Sequence, residues 1–302
     1  MTKEAQVRKM TDTIARFIGF TARQLPDDVI VKLKELREKE TGALPKVLYG
    51  AMFRNMELAA SLSRPSCQDT GLVQFWLRCG TGFPLMNELE GLLRDAVLRA
   101  TAQTPLRPNV VETFDEYNTG SNVGRGVPCV YWDIVPGWDG CEIWTYLAGG
   151  GCALPGCATV LMPGEGYAGV SKFVLERLTE YAPNACPPLL VGVGVASSAE
   201  TAALLSKKAL LRPVGSHSEN ERAARMERLL EESINALGIG PQGVGGKYTV
   251  MGVHIEHAAR HPASLGVGLS VSCWSHRRGH LLFDRELNCT AISHSDFNKE
   301  AV

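Results

Sequence analysis

The sequence has no long apolar run and no excess of charge of one sign. Its longest apolar stretch, residues 187–196, is about half as long as a transmembrane helix needs, and no apolar leader follows the first residues. The 31 Lys and Arg residues against 32 Asp and Glu residues leave a formal charge of −1. This balance excludes a broadly basic polyanion binder. We therefore expect a cytoplasmic protein with no membrane or nucleic-acid partner.

Common nucleotide and zinc motifs are incomplete. Gly192-Val-Gly194 is not followed by the lysine of a phosphate-binding loop, so close packing of a turn is the favoured interpretation. His254, His257 and His261 have the spacing of one helix face, which could seed the zinc site of a hydrolase. The H-E-x-x-H order is absent, however, and Pro262 would end that helix at His261. We expect at most one of these histidines to be functional.

Hydrophobic periodicity predicts a mixed α and β fold, helix-rich in its N-terminal part around a small mixed sheet, as one domain over residues 1–302. The predicted helices cover residues 4–24, 26–39, 45–62, 84–103 and 223–237, and the predicted strands cover 71–79, 130–135, 142–147, 189–196 and 266–271. Strands 130–135 and 142–147 are separated by Pro-Gly-Trp-Asp-Gly, which predicts a hairpin.

Three of the nine cysteines lie in short turns beside predicted strands. Cys67 precedes one strand within Arg64-Pro-Ser-Cys-Gln-Asp-Thr-Gly71, Cys186 precedes another within Asn184-Ala-Cys-Pro-Pro188, and Cys273 follows a third. Widely spaced single thiols suit an iron–sulfur cluster better than a zinc finger, which uses paired C-x₂-C spacings. Spacing alone leaves buried structural thiols as an alternative. The other cysteines are interpreted as structural: Cys79, Cys129, Cys141, Cys152, Cys157 and Cys289.

The Cys67 motif belongs to a longer series of matching motifs. The series continues through Ala148-Gly-Gly-Gly-Cys152, the Cys186 turn, Gly240-Pro-Gln-Gly243 and Cys273-Trp-Ser-His-Arg-Arg278. Together they resemble the iron–sulfur hydro-lyases, the family of class I fumarases and L-tartrate dehydratases, over residues 20–285. Within this family the sequence is most similar to the alpha subunits of two-subunit members. The resemblance implies dehydration of L(+)-tartrate to oxaloacetate, or the chemistry of a class I fumarase or mesaconate hydratase.

The resemblance also implies a cofactor. In the family pattern, Cys67, Cys186 and Cys273 would hold a [4Fe–4S] cluster that has one iron without a cysteine ligand. That open iron would act as a Lewis acid toward the substrate hydroxyl, because hydroxide is a poor leaving group. The alternatives from other classes are a zinc hydrolase and a non-catalytic iron–sulfur or scaffold subunit, which iron and sulfide analysis would separate.

Five further residues match family positions one at a time. Gln68, Arg107 and Gly150 would bind the substrate, with Arg107 gripping a carboxylate through paired hydrogen bonds. Asp69 and His261 would be catalytic. Taken singly, each has a structural explanation: a helix cap for Asp69, a surface ion pair for Arg107 and a helix end for His261.

The resemblance finally implies a partner. In single-chain relatives a further domain follows the matched region and supplies a catalytic threonine, arginines and a lysine. This sequence stops soon after Arg278, at Val302. We therefore expect a smaller beta subunit that completes the site for a dicarboxylic hydroxy acid, in an assembly of two alpha and two beta chains.

Overall fold

We describe a computed structural model of the chain, which covers residues 1–300. The helices and strands alternate along it in a mixed α and β order. The helices are α1 (Lys3–Arg23), α2 (Asp27–Lys39), α3 (Ala43–Ser61), α4 (Leu89–Gln103), α5 (Gly150–Ala153), α6 (Gly166–Tyr181), α7 (Ala199–Ala209), α8 (Glu221–Ala236) and α9 (Ser295–Glu300). The strands are β1 (Leu72–Gly80), β2 (Val111–Glu112), β3 (Tyr117–Asn118), β4 (Cys129–Val135), β5 (Cys141–Ala148), β6 (Cys157–Leu161), β7 (Leu189–Ala196), β8 (Val250–His257), β9 (Leu265–Ser272), β10 (Arg278–Phe283) and β11 (Cys289–Ala291).

The chain divides into two compact units, each built from separated segments. Unit 1 contains residues 1–27, 54–149 and 277–300, and unit 2 contains residues 28–53 and 150–276. The mixed α and β class predicted from the sequence is confirmed. The single domain over residues 1–302 stays a prediction, because both units draw on several parts of the chain.

Unit 1 is a five-stranded sheet with helices on one face. The strand order is β11-β10-β5-β1-β4, in which β1 and β4 are parallel and the other pairs are antiparallel. Alternate residues of β1, β5 and β10 share a core with α1 and α4, whose members include Phe17, Phe75, Leu93, Ile143 and Phe283. At Gly279 an added Cβ would lie 2.3 Å from the Phe17 ring, so α1 packs directly on β10.

The predicted hairpin of β4 and β5 is wrong. β1 lies between them and pairs with both, matching Trp76 to Tyr131 on one side and to Trp144 on the other. Two aromatic contacts follow this register on the face away from α1: Trp76 stacks on Tyr131 with ring centroids 4.0 Å apart, and Trp144 stacks on His280 at 4.1 Å. Long-range pairing with β1 thus overrides a local turn signal.

Unit 2 is a four-stranded sheet covered on both faces. The order is β6-β9-β7-β8, with β7 and β8 parallel. Val191 and Val193 share a core with α6 and α8. On the other face α7 lies so close that a Cβ at Gly192 would be 2.1 Å from the Ser206 carbonyl oxygen, and one at Gly194 1.9 Å from that of Ala202. Gly192 and Gly194 therefore let α7 pack closely on the sheet, but they lie within β7 and not in the turn that the sequence analysis favoured.

Candidate functional site

Backbone contacts hold the Cys67 motif at the start of β1. The amide of Ser66 donates to the Ala22 carbonyl at 2.9 Å. After Cys67 and Gln68, Asp69 Oδ1 accepts the Gly71 amide at 3.0 Å, which forms a tight turn. Gly71 has φ +79° and contacts the backbone of β5 so closely that a Cβ would lie 2.8 Å from the Leu147 carbonyl carbon. Cys67, Gln68 and Asp69 are thus fixed beside the end of β5.

Arg107 lies next to this turn, and its role in substrate binding stays a prediction. Its amide donates to Thr70 Oγ1 at 3.0 Å, and its carbonyl accepts Asn122 Nδ2 at 3.2 Å. Asn109 Nδ2 in turn donates to the Gly71 carbonyl at 3.2 Å. The backbone of Arg107 is therefore anchored to the Cys67 motif, while its side chain is exposed and accessible to an anionic ligand.

A buried arginine lies at the same end of the unit 1 sheet. Residue 277 immediately precedes β10, and its carbonyl accepts the Leu147 amide at 3.0 Å. The Arg277 residue is only 2% exposed. A Cβ built on Gly149 would be 3.0 Å from Asp69 Oδ2 and 3.7 Å from Arg277 Nη2. The Asp69 carboxylate and the Arg277 guanidinium therefore both lie beside Gly149.

In unit 2 the structure brings Cys186 and Cys273 together. Cys186 ends a short 3₁₀ helix in the left-handed conformation, with φ +56°, and its carbonyl accepts the Trp274 amide at 3.2 Å. Cys186 is exposed and Cys273, directly after β9, is buried. The Gly150–Ala153 helix is adjacent, because a Cβ on Gly151 would lie 3.1 Å from the Asn184 carbonyl oxygen. Gly150 and two predicted ligands thus share one end of this sheet.

His261 does not lie at that end. It follows β8 in an exposed loop, where its amide donates to Ser197 Oγ at 3.2 Å and its Nδ1 accepts the Ala263 amide at 3.1 Å. Between Ser272 and Gly266 the β7–β9 ladder advances six residues, which is about 20 Å of strand. Unit 2 therefore separates His261 from Cys186 and Cys273, and its catalytic role stays a prediction.

The helix predicted for His254, His257 and His261 is wrong, because the first two lie on strand β8. His254 is buried beneath α7, and its Nδ1 lies 3.1 Å from the Ala209 carbonyl, to which it donates. His257 points to the other face by strand alternation. Among residues 1–300, no three His, Cys, Asp or Glu side chains converge as a metal site. The histidines therefore do not form the face on which the zinc interpretation depended.

Lys207 is a half-buried amine that the sequence did not single out. Burial lowers its pKa, and the thiol of Cys152, in the glycine-rich α5, acts in the opposite direction. A lysine in the last turn of an amphipathic helix is ordinarily a solvated end group, so no sequence pattern marks it.

Comparison with known proteins identifies the class. The family model described as fumarate hydratase (Fumerase) matches residues 11–281, so the chain belongs to that family and is a hydro-lyase, as the motifs predict. The similarity extends to particular relatives. L(+)-tartrate dehydratase subunit alpha of Escherichia coli strain K12 is 54% identical over 293 residues, 97% of each chain. The proteins of the same description from Escherichia coli O157:H7 and Shigella sonnei have the same identity and coverage.

No helix within residues 1–300 is both long and apolar enough to span a bilayer.

Proposed function

We propose that this chain is the alpha subunit of a two-subunit hydro-lyase that converts L(+)-tartrate into oxaloacetate and water in the cytoplasm. The observation that carries this proposal is the 54% identity, over 97% of both chains, to L(+)-tartrate dehydratase subunit alpha. The site supports it, because Arg107 offers a cation to a carboxylate beside the polar Gln68 and Asp69.

A [4Fe–4S] cluster held by Cys67, Cys186 and Cys273 is part of the proposal. The residues present fit such a group: Cys186 and Cys273 are held together by the Trp274–Cys186 hydrogen bond, and thiolates are the usual ligands of iron–sulfur clusters. Arg277, a buried cation in the Cys67 unit, gives a setting suited to anionic groups. When bound, the cluster supplies a Lewis-acidic iron that stabilises the departing hydroxide.

The chain's own residues bind and orient the substrate. Arg107 would hold one carboxylate through its planar guanidinium, and Gln68 would hydrogen-bond to the substrate beside it. Asp69 would accept or donate a proton through its carboxylate, which the hydrogen bond from the Gly71 amide to Oδ1 holds in one orientation. Gly150 would let the backbone approach the ligand closely. Removal of the proton from one carbon and departure of hydroxide from the adjacent carbon form the C=C bond and water, and the resulting enol becomes oxaloacetate on tautomerisation.

The first experiment tests the ligands. Each of the three cysteines is replaced by serine, and iron and sulfide are measured after anaerobic reconstitution. We expect each replacement to abolish stable cluster content, whereas the control Cys289→Ser, on strand β11, keeps it. Full iron content after loss of any one of the three would refute this ligand set.

Arg107→Lys tests substrate binding. The variant keeps the charge but loses the paired hydrogen bonds, so we expect KM for tartrate to rise about tenfold or more with iron content unchanged. Native kinetics, or loss of the cluster, would contradict the role. His261→Asn belongs in the same series, since unchanged kinetics would show that the histidine lies outside the site.

The partner and substrate are tested together. The relatives' designation as an alpha subunit supports a smaller beta chain that completes the site, in an assembly of two alpha and two beta chains. Anaerobic assay of the loaded chain, alone and with its partner, should show turnover only with the partner. The family description favours a second candidate, fumarate hydration. Relative kcat/KM for tartrate isomers, malate, mesaconate and fumarate decides between them.

A further inference from the structure

Arg277 is the least compensated buried cation next to the proposed site. The residue is 2% exposed, and its Nε and Nη1 atoms have no hydrogen-bond partner among residues 1–300. A buried cation is strongly destabilising unless an anion lies close to it. Buried charged groups with incomplete pairing cluster at functional sites, so a functional role for Arg277 is the natural interpretation.

Strand topology directs this cation to the Cys67 motif. β1 and β10 both begin, and β5 ends, at the same end of the unit 1 sheet. Arg277 precedes β10 and has the same parity as Gly279, so strand alternation places it on the α1 face. The motif that carries Asp69 precedes β1, and Gly149 follows β5. The three residues therefore meet where the strands of the sheet start and finish.

We propose that Arg277 is a positioning residue for Asp69, an inference that rests on the proposed function. The spot that a Gly149 Cβ would occupy is 3.0 Å from Asp69 Oδ2 and 3.7 Å from Arg277 Nη2, so the carboxylate and the guanidinium flank the same spot. Asp69 Oδ1 accepts the Gly71 amide. The guanidinium sets the direction of Oδ2, and glycine at position 149 leaves room for the approach.

A double-substitution cycle in the cluster-loaded complex tests this. Arg277→Lys keeps the charge but changes the shape of the donor, and a carboxylate displaced by about 1 Å loses on the order of 100-fold in rate. We expect kcat for tartrate to fall about 100-fold while KM and iron content change by less than about threefold. In the Asp69→Asn background, Arg277→Lys should reduce kcat no further, because it acts through Asp69.

Two companion variants separate positioning from folding. Arg278→Lys changes an equally buried arginine, 2% exposed, whose side chain strand alternation directs to the opposite face of the sheet. The kcat of this variant for tartrate should therefore stay within about twofold of the native value. Gly149→Ala leaves both charged groups intact and inserts a methyl group beside them. It should reproduce the loss of kcat, so the inference stays testable if Arg277→Lys does not fold.

A second measurement needs no turnover. The shift in the urea midpoint caused by Arg277→Lys in the iron-free chain should disappear when Asp69 is already Asn. If tartrate is not turned over but this coupling is present, the proposed function fails and the inference stands. Independent midpoint shifts overturn the inference whatever the turnover. A higher KM with kcat unchanged overturns it too, because it would make Arg277 a direct substrate ligand.

Discussion

Gly71→Ala combines two perturbations at the hinge between the Cys67 motif and β1. The native φ is +79°, a region that costs an L-residue about 1–2 kcal/mol. The new methyl group would also lie 2.8 Å from the Leu147 carbonyl carbon and 2.9 Å from the Ala148 backbone nitrogen. The two backbones must move apart by about half an ångström, and overpacking of this kind costs about 1–3 kcal/mol. We expect a total loss of roughly 3 kcal/mol.

Gly126→Ala is the matched control. Gly126 has φ +68° and nothing within 4 Å of its would-be Cβ, so this variant carries the backbone strain without the collision, about 1–2 kcal/mol. Urea unfolding of the iron-free chain compares the two free energies of unfolding. Iron content after reconstitution then reports on the Cys67 motif, which Gly71→Ala should displace and Gly126→Ala should not. Equal midpoints and full iron content in both variants would show that the contact of Gly71 with β5 does not constrain the Cys67 motif.

Two further predictions concern stability and pH. Glu227 is buried and accepts hydrogen bonds from the Ile255 and Ser218 amides and from Arg212. Burial acts to raise its pKa, but those bonds outweigh it and hold the pKa below its usual value. Its stabilisation is therefore complete above the unfolded pKa near 4.5 and is lost as the pH falls through the lower folded value. Glu227→Gln should lower the free energy of unfolding, measured by urea titration, by about 3 kcal/mol at pH 7 and by less in acid. Glu232 is exposed on the same helix, so Glu232→Gln should leave that free energy almost unchanged. Equal losses in the two variants would contradict the role of the Glu227 hydrogen bonds. Burial lowers the pKa of His280 to about 4, against the opposing effect of Glu142, so between pH 6.5 and 4 the unfolded chain binds a proton that the folded chain does not. Between pH 7 and 5 the native protein should lose about 2 kcal/mol more stability than His280→Phe, which keeps the stack on Trp144; parallel pH profiles would show that His280 does not titrate in this range.

Local patterns predicted the helices and strands well. α1, α2 and α3 end within two residues of their predicted limits, because apolar periodicity and helix-ending residues act over a few positions. The β4–β5 hairpin failed for the opposite reason. The turn between these strands is compatible with a hairpin, but β1, from a distant part of the sequence, supplies the better partner for both.

The histidine prediction failed because one spacing fits two structures. Intervals of three and four residues suggest a helix face, yet His254 and His257 lie on a strand whose run of apolar neighbours, Val250 to Ile255, is equally visible in the sequence. Buried strands read as continuous apolar segments rather than alternating ones. Length and β-branched content would have favoured the strand.

The candidate site residues were selected by family motifs more than by local pattern. Family motifs selected Cys67, Asp69 and Arg107, which the structure holds together, and Cys186 and Cys273, which are joined by the hydrogen bond from the Trp274 amide to the Cys186 carbonyl. No motif could indicate that Arg277 is buried beside Gly149, since an arginine at the start of a strand is ordinarily solvated. That property arises from the sheet topology, which a single sequence does not reveal.

The interleaving of the two units has a consequence for biosynthesis. Phe17 of α1 packs against Gly279 and forms an edge contact with Phe297, ring centroids 4.9 Å apart. A ribosome makes α1 well before β10 and α9, so α1 can pack on α4, β1 and β5 early, whereas the part of its face that contacts Gly279 and Phe297 waits for much later residues. Residues 150–276, by contrast, emerge as one contiguous block. The nascent chain must keep that part of α1 shielded while the intervening residues are made.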